Sequence, residues 1–503
     1  MSSEKTMSLY QYIAEAAVDG CLPKDFSLPQ NPEDGGIMWA DGARDGVAVY
    51  HTMGQRLSEE DRVLMESAVK AASRSDDAEA DRLFGELGRK ARAISLIDEL
   101  QAYVIDNKDA LSVGNIFQYA ARTIVDSSDV ETVKIGLSLL ELFDTDRVGH
   151  LNDVIWTLGL SDELSLFAIF VMRQWQDGNN EIYELAKRLH GWGRIHAVEQ
   201  IEAETEEIRQ WLLTEGVHND ILPAYSALVC WQKSDAESIL KGNPSREEFS
   251  GIRDMIEGLL DEGPVQGISA IEDGVAMIMT FLKQAKKIEP DLSDYEVIRQ
   301  IRIRYGEGDS ENSAVVRLCQ ELLTSEACKG LVREAVKEGR ALSLAQDLQL
   351  EYKAEVLQLL KAAFDEHFYL CSYLMNDSDY RAETLELFRR KLPLEEMKAL
   401  PTDSMGLGEE YRKQHQLECI VQELFHYPLE GVAFVETALQ CAPIRTRHMG
   451  ARALQNWVSV KETPLERLLP DTCRLVCHLR DIEVDEKVRE RLESLAAGKS
   501  LIP

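Results

Sequence analysis

A chain of 503 residues is too long for one ordinary hydrophobic core, so it divides into several domains or extends as a stack without a single centre. Its 55 basic and 88 acidic side chains leave a net charge of -33 spread along the whole length, which repels nucleic acid and anionic lipid over most of the surface. Nine cysteines without regular spacing read as free thiols in a reducing compartment. Met1 to Tyr12 carries Glu4 and Lys5 and no continuous apolar run, so no secretory signal is expected. The longest apolar stretches, Leu164 to Met172 and Val275 to Leu282, fall far short of the ~20 residues a bilayer demands. These features predict a cytoplasmic protein with neither membrane nor nucleic acid among its partners.

In chain order, Leu9, Tyr12, Ile13 and Ala16 predict a short amphipathic helix that Gly20 can end, before Pro23, Pro29 and Pro32. Ile-Met-Trp-Ala from Ile37, the turn residues Asp41 to Gly46, and Val-Ala-Val-Tyr from Val47 then predict a β-hairpin. Asp41 and Asp45 read as turn-forming residues, because the loop lacks the dense oxygen spacing of a calcium site. Ser58 with Asp61 opens a helix, and a long helical pattern covers Asp76 to Ile105, with a break expected near Gly85 or Gly88. Asp129 to Phe143 reads as an inner helix, and Asp162 to Trp175 is apolar on more than one side, as a helix buried between neighbours is.

The segment from Gly191 to Trp231 states the repeating unit most clearly. Ile195, Val198 and Ile201 share one face, Thr205 caps a second helix with Glu206 and Glu207 in its first turn, and a third begins at Pro223. Three such helices have no core alone and need neighbours of the same kind. The fold expected is therefore all-α, an α-α superhelix of helical repeats with a small N-terminal helix and β-hairpin appendage over 1–56. One repeat array would span 57–305 and a second 306–503, with the Gly306 to Asn312 stretch as the seam.

Near the C-terminus, Ala442-Pro443 followed by Arg447, Ala451 and Leu454 resembles the proline, arginine and alanine pattern of HEAT repeats, and Val484 to Arg489 resembles the start of another. That HEAT or armadillo-like resemblance extends more loosely over 111–231 and implies a curved stack of helix pairs with a binding groove. Separately, Phe26 to Pro29, Asp41-Gly42-Ala43, Asp45-Gly46 before Val47 to His51, and Gly191 to Glu199 resemble a family of bacterial proteins often catalogued as limonene hydroxylases. This second resemblance implies a monooxygenase, whose chemistry needs a haem, flavin or iron centre.

Cofactor and metal motifs do not accompany that implication, and none is expected here. No Gly-x-Gly-x-x-Gly occurs, and the Gly498-Lys499-Ser500 string has Glu493 where a phosphate loop needs glycine. A di-iron centre would need two Glu-x-x-His pairs plus two more glutamates, and Glu215 with His218 and Glu423 with His426 have the spacing. Cys473, Cys477 and His478 read as thiols and a ring on one helix rather than a four-ligand zinc site.

Two groups are binding candidates. Trp192, Arg194 and His196 put an aromatic, a cation and an imidazole beside glycines at a helix start, where a tight inter-helix turn is the alternative explanation. Arg445, Arg447 and Arg452 lie in a locally basic stretch suited to an acidic peptide, the alternative being ion pairs to a neighbouring repeat. The function expected is a non-enzymatic interaction or scaffold module holding a protein or peptide, with an oxygen-dependent hydroxylase of a small apolar molecule as the rival.

Overall fold

The computed structural model describes residues 7–29, 39–51, 57–146, 148–263, 265–306 and 314–497. Among the described residues all regular structure is helical, and the one β pairing is an isolated bridge between Val18 and Cys21. None of their helices is long and apolar enough to cross a membrane. The chain divides into two compact units, Met1–Leu322 and Leu323–Pro503.

In the first unit, the helix Leu9–Ala16 is fixed by a capping box between Ser8 and Gln11 and buries Leu9 and Ile13. The expected β-hairpin is not formed. Val47 to Tyr50 lies inside a helix, Ala43–His51, while Ile37 and Met38 fall outside the described residues. The β-branched and aromatic residues there are overruled by tertiary partners: Asp45 and Gly46 are buried on one side of the helix, against cations and an indole ring respectively. This segment is thus packed into the first unit, not appended to it.

Helices adjacent in sequence then pack on one another, Glu59–Ser73 with Asp77–Lys90, Val113–Asp126 with Val130–Leu140, and Gly149–Gly159 with Ser165–Met172. Ser58, Asp76, Asp129, Thr205 and Ser245 each accept a first-turn amide as N-caps. The helical pattern over 76–105 does break, but at Ala91, which is extended, and not at Gly85 or Gly88, which lie within the helix Asp77–Lys90. Every residue of Thr132–Leu140 is buried, Lys134 included.

The second unit builds its core from Phe388, Leu424, Phe434 and Trp457, all fully enclosed. Phe388 meets Phe434 edge-on at 6.4 Å, and the Trp457 indole donates to the Leu424 carbonyl at 2.8 Å. Around that core, Ile444–Val460 packs on Arg412–Leu424 and Val432–Leu439, and Pro470–Ile482 pairs with Glu486–Ala496.

Candidate functional site

A buried cluster of ionisable groups lies inside the first unit, where Lys134 projects from the enclosed helix Val130–Leu140. Its ammonium sits 2.5 Å from both Asp45 Oδ2 and Glu163 Oε1 and 3.6 Å from Glu131 Oε1. Arg92 closes the cluster, donating to Asp45 at 2.8 and 3.0 Å and to Glu163 at 3.2 Å. Burial works against each charge, yet the opposing charges win, so Asp45 is held below the usual carboxylate range and Lys134 above the usual amine range. A lysine held protonated offers no lone pair for nucleophilic or base chemistry. What the cluster does is tie Ala43–His51 to the helices that begin at Ala93 and Val130 and to Glu163.

Beside it, the segments Asp41–His51 and Gly191–Glu199, so distant in sequence, meet. Trp192 packs its ring 6.1 Å from Tyr50, 6.4 Å from His196 and 4.9 Å from Tyr225. Tyr50 stacks on His196 at 6.0 Å, and its hydroxyl donates to Glu199 at 2.8 Å. A Cβ on Gly46 would stand 2.2 Å from the Trp192 ring, so only glycine lets the helix approach this closely. His196 is 1 % exposed, and neither ring nitrogen finds a hydrogen-bond partner among the described residues. Burial pushes its imidazolium down to about 4, leaving the ring neutral at physiological pH.

Asp162 forms the other wall. Its Oδ1 accepts the Gly193 amide at 2.9 Å, and a Cβ on Gly191 or Gly193 would fall 2.3 or 2.6 Å from its oxygens. Burial pushes this carboxyl up to about 6, with the neighbouring Asp41 and Asp220 charges adding to the effect and the Gly193 and Gly191 amides opposing it.

Of the sequence candidates, Trp192, Arg194, His196 and Arg447 are buried. Trp192 and His196 are enclosed, and Arg194, 8 % exposed, donates to the carbonyls of Ala186, Leu189 and Glu215 while lying 5.0 Å over the Trp211 ring. It clamps the ends of the helices Gly178–Ala186 and Glu206–Thr214, which leaves the inter-helix turn as the account of the Gly191–His196 motif. In the second unit Arg447 is 1 % exposed and bidentate to Glu483 at 2.8 and 2.7 Å, with further donation to the carbonyls of Thr402, Cys441 and Ala442. Arg445 and Arg452 face outward from the same helix, Arg445 lying 3.5 Å from Glu418 and Arg452 lying 5.3 Å over the Phe425 ring. Sequence reasoning missed Lys134, Arg92, Asp162 and Glu163. A lone lysine within Val-Glu-Thr-Val-Lys-Ile-Gly-Leu was the available signal for the first.

Of the two Glu-x-x-His pairs, His218 lies 3.5 Å from Glu215 and 3.0 Å from Asp254 in the first unit, and Glu423 and His426 lie in the second. Among the described residues no group of three or more His, Cys, Asp or Glu side chains is placed to hold a metal ion. No protein-family model matches the chain, nor does any curated protein or solved structure.

Proposed function

We propose that the chain is a non-enzymatic interaction module, a stack of HEAT-like helix pairs that holds a protein or peptide partner along an open helical groove. The observation that carries this reading is a groove of about 450 Å³ on the first unit, lined by Ala48, Val49, Ile94, Ile97, Phe170 and Arg173. Val49 is 43 % exposed on its rim, and the Arg173 guanidinium lies 5.4 Å over the Phe170 ring. These apolar residues alternate with Ser95, Asp98, Gln101 and Glu141 on the same groove, a mixed lining that suits an amphipathic helix offering both apolar and polar side chains. The packing of sequence-adjacent helices on one another supports the stacked-repeat reading, since such units bury their faces against neighbours.

The rival hydroxylase demands a prosthetic group in a dry pocket. Lys134 and Asp45 are instead committed to one another and Asp162 to the Gly193 amide, while the unpaired His196 ring packs against Tyr50 and Trp192. The test is purification of the full chain from its native source. A stoichiometric protein that co-purifies with the wild type and is lost from a Val49→Asp variant of unchanged helicity is the expected result. A haem or flavin absorption band in proportion to protein would overturn the reading in favour of the hydroxylase.

A further inference from the structure

A second surface, in the C-terminal unit and independent of that groove, carries the opposite charge to the rest of the molecule. Arg445, His448 and Arg452 recur at three- and four-residue steps along Ile444–Val460 and so share one face, about 10 Å long at 1.5 Å per residue. The helix Glu486–Ala496 packs against this one and brings Lys487 and Arg491, one turn apart, alongside. Arg452, Lys487 and Arg491 converge on His448. Burial first, then the positive charges of Arg491, Arg452 and Lys487, hold its imidazolium below the ordinary range, with Asp485 opposing them.

What sets this face apart is the state of its cations. Elsewhere most lysines and arginines of this acidic chain have a carboxylate within reach, commonly one helical turn away, as in Arg82 with Glu79 or Lys329 with Glu326. Arg452, Lys487 and Arg491 have no carboxylate within ion-pair distance among the described residues. Arg452 lies over Phe425 and Arg491 donates to the Gln455 amide oxygen, a neutral partner. Arg452 and Lys487 are exposed, and Val484, 52 % exposed, adds an apolar edge next to Asp485. Unpaired like charges held together repel, and an incoming anion relieves that repulsion.

We propose that the paired faces of Ile444–Val460 and Glu486–Ala496 dock an acidic peptide segment of a partner protein, its carboxylates received by Arg452, Lys487 and Arg491. The strip is short, matching a few carboxylates rather than a polyphosphate backbone, and the net charge of -33 around it opposes a long polyanion. Phe425 and Val484 supply contact for apolar side chains between the acids, which a bare anion would not use.

The test is fluorescence anisotropy of a labelled oligo-glutamate peptide titrated with the full chain at low ionic strength. Arg452→Glu/Lys487→Glu/Arg491→Glu should weaken binding about tenfold or more, and added salt should weaken the wild type in the same direction. Arg452→Gln/Lys487→Gln, which removes charge without introducing repulsion, should give an intermediate loss and guards against misfolding of the triple variant. Two controls keep their affinity if the proposal holds: Arg389→Glu/Arg390→Glu/Lys391→Glu, at the exposed end of another basic helix, and Val49→Asp, in the groove of the first unit. Absence of binding by the wild type overturns the proposal, as does equal weakening in both triple variants. Equally tight binding of single-stranded oligothymidylate would assign the face to nucleic acid instead.

Discussion

Lys134, Asp162 and His196 show three ways in which a buried ionisable group is tolerated. Lys134 keeps its charge because carboxylates surround it, Asp162 sits on backbone amides, and His196 gives its charge up. The last two make opposite contributions to stability as pH falls. Asp162 has its carboxyl raised from 3.8 to about 6, so the folded chain takes up a proton there before the unfolded chain does; that contribution is complete below about pH 4 and lost as pH rises through about 6. His196 has its imidazolium lowered from 6.5 to about 4, so the unfolded chain takes up the proton first; that contribution is complete above about pH 6.5 and lost as pH falls through about 4. Between those limits the two slopes oppose each other. Asp162→Asn should therefore lose about 3 kcal/mol more than the wild type on acidification through this window, while His196→Phe should gain a similar amount relative to it. Urea denaturation at stepped pH measures both. Profiles of the two variants running parallel to the wild type would show that neither group is perturbed.

The helix Ala43–His51 is the element on which the first unit's polar interior closes, with Asp45 directed to Lys134 and Gly46 against Trp192. Gly46→Ala forces a methyl into the face of an enclosed indole and should destabilise the chain by about 1–3 kcal/mol. In contrast, Gly330→Ala, in the interior of Glu326–Ala335 with nothing within 4 Å of the new atom, should stabilise it by up to about 1 kcal/mol. Chemical denaturation separates the two, and a neutral Gly46→Ala would mean that Trp192 moves aside freely. This helix also marks the limit of what the sequence made legible. Caps such as Ser58, Asp129 and Thr205, and the apolar run that became Val130–Leu140, declare themselves locally because helix ends and helix faces depend on residues within a turn or two. Val47 to Tyr50 carries strand-forming residues after an Asp-Gly turn signal, and its helical state is set by Lys134 and Trp192, far along the chain. The same distance misplaces the candidate site. Trp192, Arg194 and His196 look like surface anchors when read beside their flanking glycines; Gly46 and Tyr50 enclose Trp192 and His196, and the carbonyls of Ala186, Leu189 and Glu215 hold Arg194.

At the scale of the whole molecule, a net charge of -33 is carried by two units, each with its own aromatic centre. In the first, Phe249 stacks on Phe281 with ring centroids 4.9 Å apart and both side chains fully buried. In the second, Phe434 occupies the corresponding role beside Phe388, Leu424 and Trp457. A core defines what unfolds together, so calorimetry of the full chain should resolve two transitions. Each phenylalanine-to-alanine change removes about 3–5 kcal/mol from the core that holds it. Phe249→Ala should accordingly lower one transition and leave the other in place, and Phe434→Ala should do the converse. A single transition lowered by either substitution would mean that the two cores unfold as one, and the chain would then have to be treated as one cooperative body whose groove and basic face answer to the same equilibrium.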